Sequence, residues 1–199
     1  MLKKYELIEE SITICSSTYR IKALKDFSNI KAGDLGGFVK SEANLSHEGN
    51  CWVHYNAQVY DNAVVSGNAQ VYGNAQVSDD AQVSDDAVVS DNAIVYGNAQ
   101  VYGNAQVYGN AQVSDDAQVY GNAIVYGNAI IRQSISIANN YLVLGPFGNS
   151  NRYATVMLPT KEINCGCFTG SLKEFEEAVD EKYKGEGNYY TLIKFLKSL

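Results

Sequence analysis

The sequence is poor in the residues on which most catalytic and metal chemistry rests. It has two histidines, one tryptophan, two methionines and two prolines in 199 residues. His47 and His54 leave little material for a histidine metal centre or an acid–base pair. Charge is sparse too, at 19% of residues with a net −7, which argues against a protein that tracks a phosphate backbone, so nucleic acid is not an expected partner. No apolar run approaches the roughly 20 residues of a membrane-spanning helix. Met1-Leu2-Lys3-Lys4-Tyr5-Glu6 holds no apolar signal core, so a cytoplasmic protein with no membrane partner is expected.

The four cysteines are poorly placed for cross-linking. Cys165 and Cys167 have a spacing that suits neither a local disulfide nor a zinc knuckle. Cys51 falls where a small apolar residue is wanted, and Cys15 completes the set. All four are read as reduced, with no metal and no cofactor.

What the chain has instead is repetition. An aliphatic residue recurs every six positions at fourteen consecutive places, from Val53 and Val59 to Val125 and Ile131. Two positions before each stands a small residue, from Cys51 and Ala57 to Ala129. Side chains alternate faces along a strand, so these two point the same way and the Gln before and the Tyr or Ser after point the other way. The next two positions are Gly-Asn, Asp-Asp or Asp-Asn, types that tolerate positive φ and make corners. Each hexad is a short strand and a corner, and three hexads close one triangular coil of eighteen residues. A single hexad buries too little to fold alone, so the coils must stack and both ends must be capped.

Flanking this array are two different segments. Residues 1–38 read as an N-terminal β cap, with a strand over Thr18–Leu24, candidate partners at Tyr5–Ile8 and Ile12–Ile14, and a turn over Gly33–Phe38. Val39 and Leu45 begin the six-residue register, and the eight-residue step to Val53 marks a bulge at His47-Glu48-Gly49-Asn50. Residues 39–138 form the β-helix, about five and a half coils at three hexads each. Ile135 and Ile137 continue its inward pattern. Residues 139–199 read as an α/β module: strands over Tyr141–Leu144, Tyr153–Leu158 and Glu162–Phe168, a loop over Gly145–Asn151, then a helix capped by Ser171 and Glu174 and a second near Tyr189–Leu196. The expected fold is mainly β, a parallel β-helix between a small β cap and an α/β module.

Two sets of residues are candidate sites. Outward Val88, Ile94, Ile124 and Ile130, with Tyr96, Tyr102, Tyr108 and Tyr126, form a candidate oligomer interface. Trp52 stands outward on the same face as Val88 and Ile124. Asp79, Asp80, Asp85, Asp86 and Asp91 form a solvated belt whose carboxylates sit on different corners and do not converge on calcium. In the tail, Phe147, Ser150, Arg152 and Tyr153, with Cys167 and Phe168, are candidate ligand-binding residues. Backbone amides with an arginine suit a phosphate, and the aromatics suit a base.

The Asn-Ala-x-Val array resembles the left-handed parallel β-helix of hexapeptide-repeat proteins, and that resemblance implies the handedness and a homotrimer. The whole chain is similar to a family of phage and prophage proteins of unassigned activity. The likeness is carried by Tyr19–Phe27, Lys31–Val39, Gly49-Asn50-Cys51-Trp52-Val53, Gly145-Pro146-Phe147-Gly148-Asn149-Ser150 and Gly166-Cys167-Phe168-Thr169-Gly170 with Glu174-Phe175. It implies a bacterial host cytoplasm. The expectation is a non-enzymatic oligomeric binding protein, in its sharpest form a counter-defence sponge that sequesters a nucleotide immune signal. The alternatives are a structural or adaptor protein that binds a host or phage protein, and a hexapeptide acyltransferase with His54 as base. Against the last, neither histidine sits in the middle of the stack and the array has no inserted arm. His54, one position after Val53, is expected on the surface.

Overall fold

The alternation of small and aliphatic residues inward with Gln, Tyr and Ser outward builds a three-sided column. In a computed structural model, described for residues 3–9, 18–132, 134, 141–147, 152–158, 160–184 and 187–197, a head of three strands, β1 (Tyr5–Ile8), β2 (Tyr19–Ala23) and β3 (Leu35–Val39), leads into fourteen two-residue rungs. The rungs run from Trp52–Val53 (β4) to Ile130–Ile131 (β17). They pair in parallel eighteen residues apart, so that Val53 lies opposite Val71, Val59 opposite Val77 and Val65 opposite Val83. The inward valines and alanines of every rung, and Ile131, are fully buried. The chain is a repeat β-helix protein with a plugged interior.

Every rung donates its amides in one direction. Trp52 N–H bonds Ala69 O at 3.0 Å, His54 N–H bonds Val71 O at 2.8 Å, and the pattern continues to Gln112 N–H on Ala129 O at 2.8 Å. The column therefore ends in bare carbonyls at its N-terminal mouth and bare amides at its C-terminal mouth, and each needs a partner of the opposite kind. At the N-terminal mouth the donor is Lys4, 1% exposed. Its ammonium reaches Cys51 O at 2.9 Å, Glu48 O and Gly49 O at 3.4 Å, and the Cys51 thiol at 3.3 Å. Tyr5 O–H donates to Leu45 O at 2.7 Å. At the C-terminal mouth the acceptors are hydroxyls: Tyr126 N–H donates to the Tyr141 hydroxyl at 3.0 Å and Ile130 N–H to Thr155 Oγ1 at 2.9 Å.

The head sheet is continuous with one face of the column, because β3 pairs in parallel with the rung at Gln58–Val59. Val39 faces Val59 and Leu45 faces Val65, twenty positions apart, where later rungs are eighteen apart. The expected bulge before Val53 supplies those two extra residues. Buried Asn44 stitches this first coil, its amide donating to Asp61 O at 3.1 Å and Ala63 O at 2.8 Å. The expected turn over Gly33–Phe38 is instead strand from Leu35 onward. Gly36 and Gly37 are there for close approach: a Cβ on Gly36 would lie 2.6 Å from Val53 O, and one on Gly37 2.5 Å from Ala57 O. Trp52, expected outward, is 1% exposed because the loop after β2 folds over it, with Phe27 edge-on at 5.4 Å. Ile12–Ile14, Ile135 and Ile137 lie outside the described residues.

The corners are held by more than loop propensity. Asp79, Asp85 and Asp91 have φ near 57–60°. Their carboxylates accept the amides of the glycines one coil on, Gly97, Gly103 and Gly109, at 3.0–3.1 Å. The acidic belt is thus also an internal cap.

Beyond the column, β18 (Tyr141–Phe147), β19 (Arg152–Met157), β20 (Glu162–Cys165) and β21 (Phe168–Ser171) form an antiparallel sheet in chain order. Three strands were expected; the fourth arises because Gly166-Cys167 turns the chain into a hairpin inside the stretch read as one strand. Strand β18 also runs on through Gly145-Pro146-Phe147, which was expected as loop. Helices α1 (Leu172–Tyr183) and α2 (Tyr189–Lys197) cover one face of this sheet through Phe175, Val179, Leu192 and Leu196, while Met157 and Tyr141 join the column core. The Ser171–Glu174 capping box forms as read, with Ser171 N–H on Glu174 Oε2 at 2.8 Å.

The stacking makes a specific demand at Gly49, whose φ is +64° and whose added Cβ would collide with the Gly67 carbonyl of the next coil. Gly49→Ala is expected to lower stability by more than about 1 kcal/mol, through left-handed strain and the clash together, read as a fall in the thermal unfolding midpoint.

Candidate functional site

Alternation along β19 decides what the tail can assemble. Ala154 and Val156 face the helices, and Thr155 and Met157 face the column. Arg152 shares the helix-facing side, and the Gly166-Cys167 hairpin brings a second strand end beside it. Together with α1 and the start of α2 they enclose a cleft of about 280 Å³. Arg152 and Lys182 supply its cations; Phe168, Tyr183 and Tyr189 supply aromatic surface; the exposed Cys167 stands at its edge. No carboxylate lines it among the described residues.

The floor of the cleft is neutral. Phe175 packs between Phe168, at 5.1 Å between ring centres, and Tyr189, at 6.1 Å. Burial pushes the Tyr189 hydroxyl up to about 12, and it is hydrogen-bonded with Tyr183 and the Cys165 thiol. Burial likewise raises Cys165. Near neutral pH the cleft therefore presents two cations with no titrating floor beneath them. Such a lining suits a planar ligand that carries negative charge.

Of the six residues expected to bind ligand, Arg152, Cys167 and Phe168 come together in this cleft. Tyr153, by strand alternation, falls on the opposite side with Thr155 and Met157. Phe147 ends β18 opposite Arg152, and Ser150 lies outside the described residues. Lys182, Tyr183 and Tyr189 were not anticipated. The spacing of Phe175, Val179 and Tyr183 marks that helix face in the sequence, but the sequence does not show which strand it covers. Arg132, just past the last rung, ties the module to the column through Thr169 Oγ1 at 2.7 Å, Gly166 O at 3.2 Å and Asp115 at 3.5 Å.

The expected interface residues are spread over the three faces that their hexad positions assign. Val88, Tyr108, Ile124 and Tyr126 lie on one face, Ile94, Tyr96 and Ile130 on a second, and Tyr102 on the third. Tyr102 stacks on Tyr120 at 5.3 Å and Tyr108 on Tyr126 at 5.8 Å, so the rings already cover one another along the column. Ile130, close to the C-terminal sheet, is joined to it through its backbone.

The histidines sit at the other end of the molecule. His54, expected on the surface, is 8% exposed, because its ring stacks on Tyr72 at 4.2 Å and the head loop closes beside it. His47 stacks on Tyr5 at 4.3 Å and accepts the Lys4 N–H at 3.2 Å. No helix in the described residues is long and apolar enough to cross a membrane.

Six stretches of the column, residues 57–73, 69–84, 81–97, 89–103, 99–115 and 117–133, the first five overlapping, match the family model of the YdcK Beta solenoid repeat. The chain is similar to that repeat over its rungs; the head and the C-terminal module lie outside the match. Comparison with curated proteins gives no match.

Burial pushes both imidazoles below the ordinary histidine range. The unfolded chain then binds more protons than the folded one below about pH 6.5, so stability is full above that value and falls with acidification. The unfolding midpoint is expected to drop between pH 7 and pH 5, and a His47→Gln/His54→Gln double variant to flatten that slope. Asp26, Glu42 and Glu174, held low by hydrogen bonds, act in a separate window at lower pH.

Proposed function

We propose that this protein is a non-enzymatic binding protein whose C-terminal module captures a small anionic ligand with a planar ring, a nucleotide being the class that fits. The observation that carries this reading is the cleft itself: Arg152 and Lys182 beside Phe168, Tyr183 and Tyr189, with no opposing carboxylate among the described residues. Two cations can pair with phosphate oxygens while an aromatic wall stacks on a base. The column contributes rigidity and spacing. With its inward positions filled by Val, Ala, Ile and the single Cys51, it has no interior space in which a ligand could sit. A phage-encoded sponge that withdraws a nucleotide immune signal from its host is the biological form of this reading, supported by the family resemblance of the head and tail.

Self-association is part of the proposal. Outward Ile94, Ile124 and Val88 are half-buried within one chain and leave apolar edges on two faces, which suits side-by-side packing of columns. A trimer is the arrangement that the hexapeptide-repeat resemblance favours. Light scattering is expected to give three times the chain mass of 21.7 kDa; a monomeric mass would remove this part.

Titration calorimetry with cyclic dinucleotides and ADP-ribose is expected to show binding by at least one. Arg152→Gln and Lys182→Gln should each weaken it about tenfold or more, the scale of losing one charge-assisted hydrogen bond. Absence of binding to all of them, or affinity indifferent to both substitutions, would refute the nucleotide reading.

A further inference from the structure

The repeat supplies its own control. Thirteen later rungs show what the column requires at each outward position, and the first rung departs from that at three places. Trp52 stands where later rungs carry Gln, Val or Ile, and His54 where all but one carry Tyr or Ser. Tyr55 stands where every other left-handed corner of the described rungs is Gly or Asp. Packing under the head explains Trp52. Packing under the head also buries His54, whose ring stacks on Tyr72 and bonds Gln70, but nothing in the fold requires Tyr55.

Tyr55 is the more telling. Its φ is +51°, a region that an aromatic residue enters at a steric cost, and its side chain is 67% exposed, so no burial offsets that cost. The ring stands at a polar cavity of about 330 Å³ between the head loop and the first face of the column, also lined by Asn29, Asp34, Trp52, His54 and Tyr72. The hydrogen-bonding character of that cavity can be read atom by atom. The Gln70 amide nitrogen donates to Asn50 O at 2.8 Å and Asn68 O at 2.9 Å, which turns its oxygen toward His54 Nε2, also at 2.8 Å. His54 Nε2 therefore carries the proton, and Nδ1 is a free acceptor with no partner among the described residues. Asp34 spends one carboxylate oxygen on the Lys31 N–H at 2.8 Å, and its other oxygen has no partner among the described residues. No lysine or arginine lines the cavity among the described residues.

We infer that this cavity binds a single neutral sugar ring, whose hydroxyls donate to Asp34 and His54 Nδ1 while its C–H face lies on the Tyr55 ring. Acceptors without cations select a ligand rich in donors and poor in negative charge, which separates this site from the cationic cleft at the other end. An exposed aromatic ring beside a polar recess offers an apolar platform and directional bonds together, as recognition of a polyhydroxylated ring requires.

The test uses the full chain and its single tryptophan, which borders the cavity. Methyl glycosides of glucose, galactose, mannose and N-acetylglucosamine are titrated at millimolar concentrations, with choline and AMP as cationic and anionic arms. Trp52 emission and saturation-transfer NMR are the readouts. At least one glycoside is expected to shift the emission and to receive saturation at its ring protons. Tyr55→Gly restores the residue type that other corners use, so its unfolding midpoint should equal or exceed that of the parent while glycoside affinity falls at least tenfold. Asp34→Ala should weaken binding similarly. Silence from every glycoside, a response to choline or AMP alone, or a Tyr55→Gly protein that binds as the parent does would overturn the inference. A fall in the Tyr55→Gly midpoint would also overturn it, by giving Tyr55 a structural reason.

Discussion

The structure depends on the common direction of its backbone hydrogen bonds. In a sheet of mixed strands, amides and carbonyls are shared between both edges. Here each coil donates to the next, from Trp52 to Ala69 and onward, so one mouth of the column holds acceptors and the other donors. An open mouth of this kind would template association with another chain or bury unpaired polar groups. The two ends are therefore not interchangeable, and neither can be closed by more hexads. A buried lysine ammonium is a natural plug for converging carbonyls, since it brings three donors and no acceptor. Tyr141 and Thr155 hydroxyls, with lone pairs to offer, close the opposite end.

That constraint separates what was legible in the sequence from what was not. The rungs, their inward residues, the corner types and the strand-plus-helix character of the tail all follow from local alternation and spacing. The eight-residue step before Val53 was readable as a bulge because the repeat around it is so regular. Lys4 was not readable as a cap: a lysine near a chain start is ordinarily solvated, and nothing local shows that four carbonyl and thiol atoms will surround it. Gly36 and Gly37 misled in the same way. Their spacing suits a turn, yet the backbone of the first rung crosses over them at a distance no Cβ allows. His54 was placed on the surface because its rung position is outward; the head loop that covers it comes from residues far earlier in the chain.

The tail was legible in part for a related reason. Arg152, Cys167 and Phe168 converge because a hairpin and a strand end meet, and both lie within one short stretch of sequence. Tyr153 parts from Arg152 because neighbouring residues on a strand face opposite sides, and the same alternation that predicts the rungs separates them here. Lys182 and Tyr189 join from helices whose docking depends on the fourth strand. That strand exists only because Gly166-Cys167 folds back where the sequence reads as continuous β.

A regular column is an unusual background against which to look for function, because it shows its own requirements many times over. Positions that obey the repeat, such as Val83 or Ala87, are explained by stacking and need no other account. Asp85 beneath Gly103 is explained as well, by a corner amide that needs an acceptor. What stacking leaves unexplained collects at the two ends: Tyr55 beside the head, Arg152 and Lys182 in the C-terminal module. The interior is too tightly filled to hold anything, and the outer faces repeat. Both proposed ligand sites therefore lie where the repeat is interrupted to close a mouth. The groups there differ in kind: a carboxylate and neutral acceptors at one end, cations at the other.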